Sequence, residues 1–143
     1  MDIDQTKVNK EAIQEWVAAL RSGKYVQGFG WLTRNGTYCC LGVACDLFAK
    51  KLSMPFKLTD PEDHIYSWNG YTQDLPPVVN EFLGLSPSRG GGAPVVILSK
   101  DMNLPLGWVA GDENDLISLN DDWHWGFNEI ADAIEQTYLG GDE

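Results

Sequence analysis

Three cysteines and two histidines are the residues of this chain with the widest chemical range. Cys39, Cys40 and Cys45 lie close together, and an apolar run with helical spacing follows directly. A thiol at a helix N-terminus can have a lowered pKa and act as a nucleophile when a histidine serves as its base. One hypothesis is therefore a cysteine hydrolase, with Cys40 as nucleophile, His124 as base and Asp122 as the carboxylate partner.

The alternative is that the cysteines are small apolar residues filling a strand-to-helix corner, and we prefer this interpretation. His64 is the only other histidine that could serve as a base. The spacing from Cys40 to Cys45 lacks a second pair of ligands, so no structural zinc site is predicted. The oxygen-rich stretch 112–122 does not match a calcium-binding loop. We therefore expect no catalytic residue, no metal and no cofactor.

Aromatic side chains offer a different kind of site. Six Trp and five Tyr exceed what one small core needs, and most of the Trp residues fall in turn or loop contexts. Such rings can stack on bases, and an arginine can hold a phosphate. The alternative is that most of them cover the core. The predicted ligand-binding residues are Trp31, Arg34, Trp68, Tyr71, Arg89, Trp123 and Trp125.

The charge is strongly asymmetric along the chain. The net charge is −11; Lys and Arg outnumber Asp and Glu eight to five up to Lys57, whereas sixteen acidic residues face two basic ones afterwards. Such a distribution disfavours direct DNA binding, because phosphate backbones require a basic surface. An acidic second half fits either a solvated surface or a face for a basic host protein. No apolar run is long enough to predict a membrane span.

The elements that position these residues are short. Asn9 is typical of a helix cap, and the apolar spacing after it predicts a helix over 10–22. The Asn35-Gly36 dipeptide predicts a hairpin between strands at about 27–33 and 37–40. A helix is expected from Leu41, with Lys50 and Lys51 in its last turn.

The second half predicts further short elements separated by turns. They are a turn at Asn69-Gly70, a helix opened by Pro76 and Pro77 and closed by Gly84, a mobile loop at 86–92, a strand at 95–98 and a helix at 127–139. Residues 1–8 and 140–143 are expected to be loose ends. The whole chain, 1–143, is predicted to be a single small α+β domain with three to four helices packed on one or two short antiparallel β-hairpins.

Four segments together resemble a known family. They are WVAALRSGKY at 16–25, YCCLGVACD at 38–46, the LPP and FLGL pieces within 75–85, and the LNDD and FNEIAD pieces within 119–132. This combination resembles a family of small uncharacterised proteins of tailed bacteriophages and prophages. Such proteins tend to carry Ser where this chain has Gly126. The resemblance implies a phage context and no established activity.

These observations lead to one preferred function and two alternatives. The preferred hypothesis is a non-enzymatic binding protein in the host cell cytoplasm, sequestering a small nucleotide-derived defence signal. The first alternative is an acidic inhibitor of a basic host protein that mimics nucleic acid, and the second is the cysteine hydrolase. A homo-oligomer is compatible with each of them.

Overall fold

A computed structural model describes residues 6–86, 93–99, 102, 104 and 106–140. The helices are α1 (Lys10–Arg21), α2 (Cys40–Phe48), α3 (Pro77–Leu83), α4 (Leu116–Asp121) and α5 (Phe127–Ile134), which continues as a π-helical turn over Glu135–Leu139. The strands are β1 (Val26–Gln27), β2 (Thr33–Arg34), β3 (Thr37–Tyr38), β4 (Phe56–Asp60), β5 (Ile65–Trp68), β6 (Val95–Ile97) and β7 (Glu113–Asp115). Arg89 and residues 87–92 of the predicted mobile loop lie outside the described residues.

The strands form two sheets, and the predicted α+β class is confirmed. A five-stranded sheet has the order β1-β3-β2-β5-β4, and β6 pairs with β7 in a two-stranded antiparallel sheet. The antiparallel pair around Asn35-Gly36 is confirmed as β2 and β3. The first part of the strand predicted at 27–33 does not belong to this antiparallel pair. Instead, β1 (Val26–Gln27) pairs in parallel with β3, on the edge of β3 opposite to β2. Gly30, at a φ of +83°, lies in the loop that returns the chain to β2.

Helix α1 closes one side of the core against α5 and the π-helical turn. Its predicted cap is confirmed, since the Ala12 amide donates to Asn9 Oδ1 at 3.2 Å. Its apolar face buries Ile13 and Trp16 completely. The Trp16 indole N–H donates to the Cys40 carbonyl at 3.0 Å, which ties α1 to the start of α2.

Helix α2 lies in the centre of the molecule, and all its residues but Asp46 and Leu47 are buried. It begins at Cys40 and ends at Phe48, so Lys50 and Lys51 lie beyond its last turn. The expectation that they stabilise its C-terminal dipole from within the helix is therefore wrong. Val8, in the predicted loose start, is half-buried.

The second half contains two elements that periodicity did not predict. Strand β7 consists of polar residues only, so its sequence has no apolar alternation that would predict a strand. Its extended conformation depends on pairing with β6. Helix α4 follows directly, capped by Asp115, whose carboxylate accepts from the Ser118 amide at 2.8 Å. Pro76, rather than a side-chain cap, precedes α3, and Gly84 ends that helix at a φ of +74°. No helix among the described residues has both the length and the apolar character needed to cross a membrane.

Candidate functional site

The thiols lie inside the protein. Cys39 is 5 % exposed and Cys40 is completely buried. Cys39 is the N-cap residue of α2, and its sulfur accepts from the Gly42 amide at 3.4 Å. The Cys40 thiol points toward the Leu116 carbonyl, at 3.8 Å. His124 instead packs on Phe29, with ring centroids 4.5 Å apart.

This environment disfavours the activated thiol that the hydrolase hypothesis requires. Burial raises the pKa of Cys39 to about 12, although backbone hydrogen bonds from the helix N-terminus act in the opposite direction. Burial likewise raises the pKa of Cys40 and that of Cys45. A buried thiol with a raised pKa cannot serve as the exposed thiolate that a hydrolase needs. Cys40 is buried while His124 packs on Phe29, so the structure does not assemble the nucleophile–base pair that the hydrolase hypothesis requires.

The raised thiol pKa values predict a loss of stability at alkaline pH. The ordinary pKa is 9.0 and the folded pKa of Cys39 is about 12, so its contribution is complete below pH 9.0 and is lost as the pH rises toward 12. Each such thiol lowers the free energy of unfolding by about 1.4 kcal/mol per pH unit in that window. Urea unfolding at a series of pH values from neutrality to the alkaline range measures this slope.

Thiol labelling provides the control for that measurement. At neutral pH we expect a thiol-specific reagent to modify the cysteines only at the rate of global unfolding, and rapidly in denaturant. A Cys39→Ala protein should show a smaller alkaline slope. Fast, single-site labelling of the native protein would instead identify an open thiolate and contradict the packing interpretation.

The predicted ring-and-arginine site is dispersed rather than assembled. Trp123 is 52 % exposed, and its ring packs edge-on against Trp108, with centroids 4.7 Å apart. Tyr71 is 37 % exposed beside the Asn69-Gly70 turn, where it bridges to Trp68. Trp31 is half-buried. Among the predicted ligand-binding residues that the structure describes, Arg34 alone lines the polar cleft described below.

Two of the predicted ligand-binding rings, Trp68 and Trp125, are core residues in this structure. Trp68 is 1 % exposed, and its indole N–H donates to the Thr33 hydroxyl at 3.0 Å. Trp125 is largely buried, and its amide donates to the Leu119 carbonyl. Both indoles pack within the main hydrophobic core, so their stacking faces are already covered.

A polar cleft of about 670 Å³ lies elsewhere, where three turns meet. We define the polar cleft by residues 27–29 at the end of β1, by Arg34, Asn35 and Thr37 at the β2–β3 turn, and by residues 62–64 at the β4–β5 turn. Pairing of Arg34 with Ile65 brings the second and third of these segments together.

Specific contacts hold the cleft walls in place. The Asp60 carboxylate accepts from the amides of Glu62 and Asp63, at 3.0 and 3.2 Å, and so shapes the β4–β5 turn. The backbone N–H of Asn35 donates to the backbone carbonyl of His64 at 2.9 Å, and this bond joins the tips of the two turns. On the other wall Gly28 is required, because a Cβ there would lie 2.1 Å from the Thr37 hydroxyl oxygen.

The groups in the polar cleft are chemically mixed. Phe29 is 46 % exposed, and its ring packs against His124. Arg34 lies 3.7 Å from Asp63 in a solvent-exposed ion pair, which is a weak interaction that a ligand can replace. Amide, imidazole and carboxylate groups complete the lining. A planar polar ligand with one anionic group matches this combination better than a highly charged one.

An amide network anchors the base of the cleft. Asn120 is completely buried, accepts from Gln27 Nε2 at 2.9 Å and donates to the Gly28 carbonyl at 2.9 Å. The same amide oxygen accepts from the Cys40 backbone N–H at 3.3 Å. Its second donor bond, 2.8 Å long, goes to Asp121. Asn120 therefore connects β1, α2 and α4, and it fixes residues 27–28 from below.

Sequence reasoning missed most of the cleft. Its two turns carry recognisable signals, Asn35-Gly36 and the acidic 60–63 stretch, but their proximity depends on the pairing of β2 with β5. Phe29 had no signal that separated it from a core aromatic. His64 was considered only as a base for a cysteine, whereas it lies in the polar cleft.

Comparison with known proteins gives the family. The family model described as "Domain of unknown function (DUF8296)" matches residues 8–138. No curated protein and no solved structure matches the chain significantly. The matched segment includes the three cysteines and every residue that lines the polar cleft. This chain belongs to the DUF8296 family, whose function is unknown.

Proposed function

We propose that this chain is a non-enzymatic binding protein of phage type, which sequesters a small nucleotide-derived signal in the polar cleft. The observation that carries the proposal is the presence, in one cleft of about 670 Å³, of an exposed ring at Phe29 and a guanidinium at Arg34. Pockets for small ligands combine such an apolar wall with a few polar groups that set orientation.

Each part of a nucleotide has a matching group in the polar cleft. A base can stack on Phe29, and stacking on an aromatic side chain is worth about 1–3 kcal/mol per base. Arg34 can bind a phosphate through two parallel N–H donors. The carboxylates of Glu62 and Asp63 suit the hydroxyl groups of a ribose, which donate hydrogen bonds. These same carboxylates disfavour a polyphosphate, which narrows the ligand to one or two phosphates.

The phage context is part of the proposal and is supported by the four motif segments. A protein made in an infected cell meets nucleotide-derived signals in the host cytoplasm, and sequestering them requires affinity rather than turnover. The burial of the three thiols argues against the cysteine hydrolase and so supports binding over hydrolysis.

Arg34→Gln is expected to weaken binding of the cognate nucleotide by roughly 10- to 100-fold, because a hydrogen bond to a charged group contributes about 1.5–3 kcal/mol. Phe29→Leu is expected to weaken it at least fivefold through the loss of stacking. Titration calorimetry against cyclic mononucleotides, dinucleotides and ADP-ribose derivatives measures both effects.

Matched variants separate the polar cleft from the other predicted residues. Arg21→Gln makes the same charge change on α1, where Arg21 pairs with Glu135 at 3.1 Å, and should leave affinity unchanged. Tyr71→Leu removes an exposed ring outside the polar cleft and should also leave the affinity for the nucleotide unchanged. If no compound in the panel binds the wild-type protein, the small-ligand proposal fails.

A second proposal is that the acidic half inhibits a basic host protein, for example by resembling nucleic acid. Its support is the exposure of many carboxylates after residue 58. The exposed residues are Glu62, Asp63, Asp74, Glu81, Asp112, Asp122, Glu129, Asp132 and Glu135. A complex of this kind should weaken steeply with salt. Co-purification with a basic protein that DNA displaces would support it over the small-ligand proposal.

A further inference from the structure

Three tryptophan side chains form a connected series from the core to the surface near the end of α4. Trp125 is largely buried, Trp108 is half-buried and Trp123 is 52 % exposed. The Trp108 ring packs on Trp125 with centroids 5.8 Å apart, and it lies perpendicular to Trp123 with centroids 4.7 Å apart. Trp108 therefore links the exposed indole to the core.

The backbone at the end of α4 holds Trp123 on the outside. Its N–H donates to the Ser118 carbonyl at 3.0 Å, and the Trp125 N–H donates to the Leu119 carbonyl at 2.9 Å. His124, between the two indoles, has a φ of +53°. This turn of the chain lets one indole enter the core while the other stays in solvent. The exposed position of Trp123 is thus built into the end of the helix.

Other exposed groups adjoin Trp123. Val109, next to Trp108 in the chain, is 61 % exposed, and the His124 ring packs on Phe29. We define the aromatic ridge by Trp108, Val109, Trp123 and His124, with Phe29 at the end that meets the polar cleft. Single exposed apolar side chains are ordinary, whereas a contiguous group of them is typical of an interaction site.

The segment that carries most of the aromatic ridge contains only acidic charges, since no Lys or Arg follows Lys100 in the sequence. Asp122 is exposed and directly precedes Trp123. Asp112 is also exposed, in a turn where its N–H donates to the Val109 carbonyl at 3.2 Å. Complementary charge selects a partner and repels the wrong one. The aromatic ridge therefore favours a cationic partner.

Indoles beside carboxylates suit arginine better than lysine. A guanidinium can stack on an indole face while its N–H groups donate to a carboxylate, and it is more weakly hydrated than an ammonium group. Tryptophan is also enriched among the few residues that supply most of the binding energy at protein interfaces. Trp123 has both the exposure and the supporting contacts of such an anchor.

We propose that the aromatic ridge is the docking surface for an arginine-rich segment of a basic protein, with Trp123 as its central anchor. The inference rests on the second proposal above, which it assigns to one surface, and it is separate from nucleotide binding in the polar cleft. One guanidinium stacks on Trp123, and neighbouring arginines pair with Asp112 and Asp122. The alkyl part of an arginine side chain covers Val109.

Titration of the full-length protein with oligo-arginine and oligo-lysine peptides of equal length tests this directly. We expect oligo-arginine to bind about fivefold more tightly or better, because stacking on an indole adds to the charge attraction. Trp123→Leu should weaken oligo-arginine binding roughly tenfold and remove the preference over oligo-lysine. The same variant should bind nucleotides as the wild-type protein does, because Trp123 does not line the polar cleft.

Further variants separate the ridge from diffuse charge attraction. Val109→Ser removes a second exposed apolar group of the ridge independently and should also weaken oligo-arginine binding. The pair Asp112→Asn and Asp122→Asn should weaken both peptides severalfold. Neutralising Glu11 and Glu15, which are exposed on α1, makes the same charge change and should alter affinity by less than about twofold.

The outcomes distinguish this inference from the proposals before it. Equal affinity for the two peptides, or unchanged oligo-arginine binding in both Trp123→Leu and Val109→Ser, would overturn the ridge inference while the second proposal stands. Failure of both peptides to bind would overturn both. A wild-type dimer that Trp123→Leu converts to a monomer would show that a second copy of this chain covers the ridge, and would also overturn the inference. Nucleotide titration decides the polar cleft proposal separately.

Discussion

Gly42→Ala is expected to destabilise the protein by about 3 kcal/mol or more, although alanine is ordinarily the better helix former. A Cβ at residue 42 would lie 1.8 Å from the Leu32 carbonyl oxygen. That oxygen cannot move freely, because Leu32 is completely buried and its carbonyl accepts from the Cys39 amide at 3.3 Å. The substitution must therefore push α2 away from the segment preceding β2.

Gly126→Ala is the matched control for this prediction. Gly126 is the N-cap residue of α5, and the nearest atom to its added Cβ would be a Glu129 carboxylate oxygen at 3.7 Å, which is ordinary contact. Chemical denaturation should show a change of well under 2 kcal/mol for this variant. Similar stability for Gly42→Ala and the wild type would show that α2 does not press on the Leu32 backbone.

Asn120→Ala is expected to cost about 3–5 kcal/mol, because it leaves buried backbone groups of two different elements without partners at about 1–3 kcal/mol each. The Gly28 carbonyl loses its donor and the Cys40 N–H loses its acceptor. Gln27 also loses one of its two acceptors, the other being the Trp125 carbonyl at 2.8 Å. Urea unfolding measures the loss.

Asn80→Ala serves as the control amide. The Asn80 side chain is half-buried and makes a single longer bond, 3.4 Å, to the Leu85 carbonyl. Its removal should cost about 1 kcal/mol. If the two variants were equally stable, Asn120 would not be the connection between β1, α2 and α4 that the geometry indicates.

Local signals predicted the parts of the fold that local energetics determine. Asn9 caps α1 because its side-chain oxygen can accept a hydrogen bond from the first turn. Asn35-Gly36 closes the β2–β3 pair because both residues can adopt a positive φ. The second turn, Asn69-Gly70, also has both residues at positive φ. By contrast, the parallel alignment of β1 with β3 depends on a contact across the intervening loop, which no local pattern encodes.

The candidate site was predictable only in its composition. Aromatic rings and an arginine were expected, and Arg34 does line the polar cleft. The aromatic ring in the cleft, however, is that of Phe29, and no tryptophan lines it. Sequence alone could not distinguish Trp68, whose N–H is satisfied by Thr33, from an exposed indole. The β4–β5 turn reaches the polar cleft only because β5 pairs with β2 through Arg34 and Ile65, which are too far apart in the sequence for any turn motif to connect.

The packing of α1 against α5 has a consequence during synthesis. Ile13 and Trp16 belong to the same core as Ile130 and Ile134, more than a hundred positions later in the chain. During synthesis, α1 therefore exposes its apolar face without its packing partner until α5 has been translated. The domain gains its cooperative stability only at that point, and stalled products ending before Phe127 should be prominent clients of chaperones and proteases.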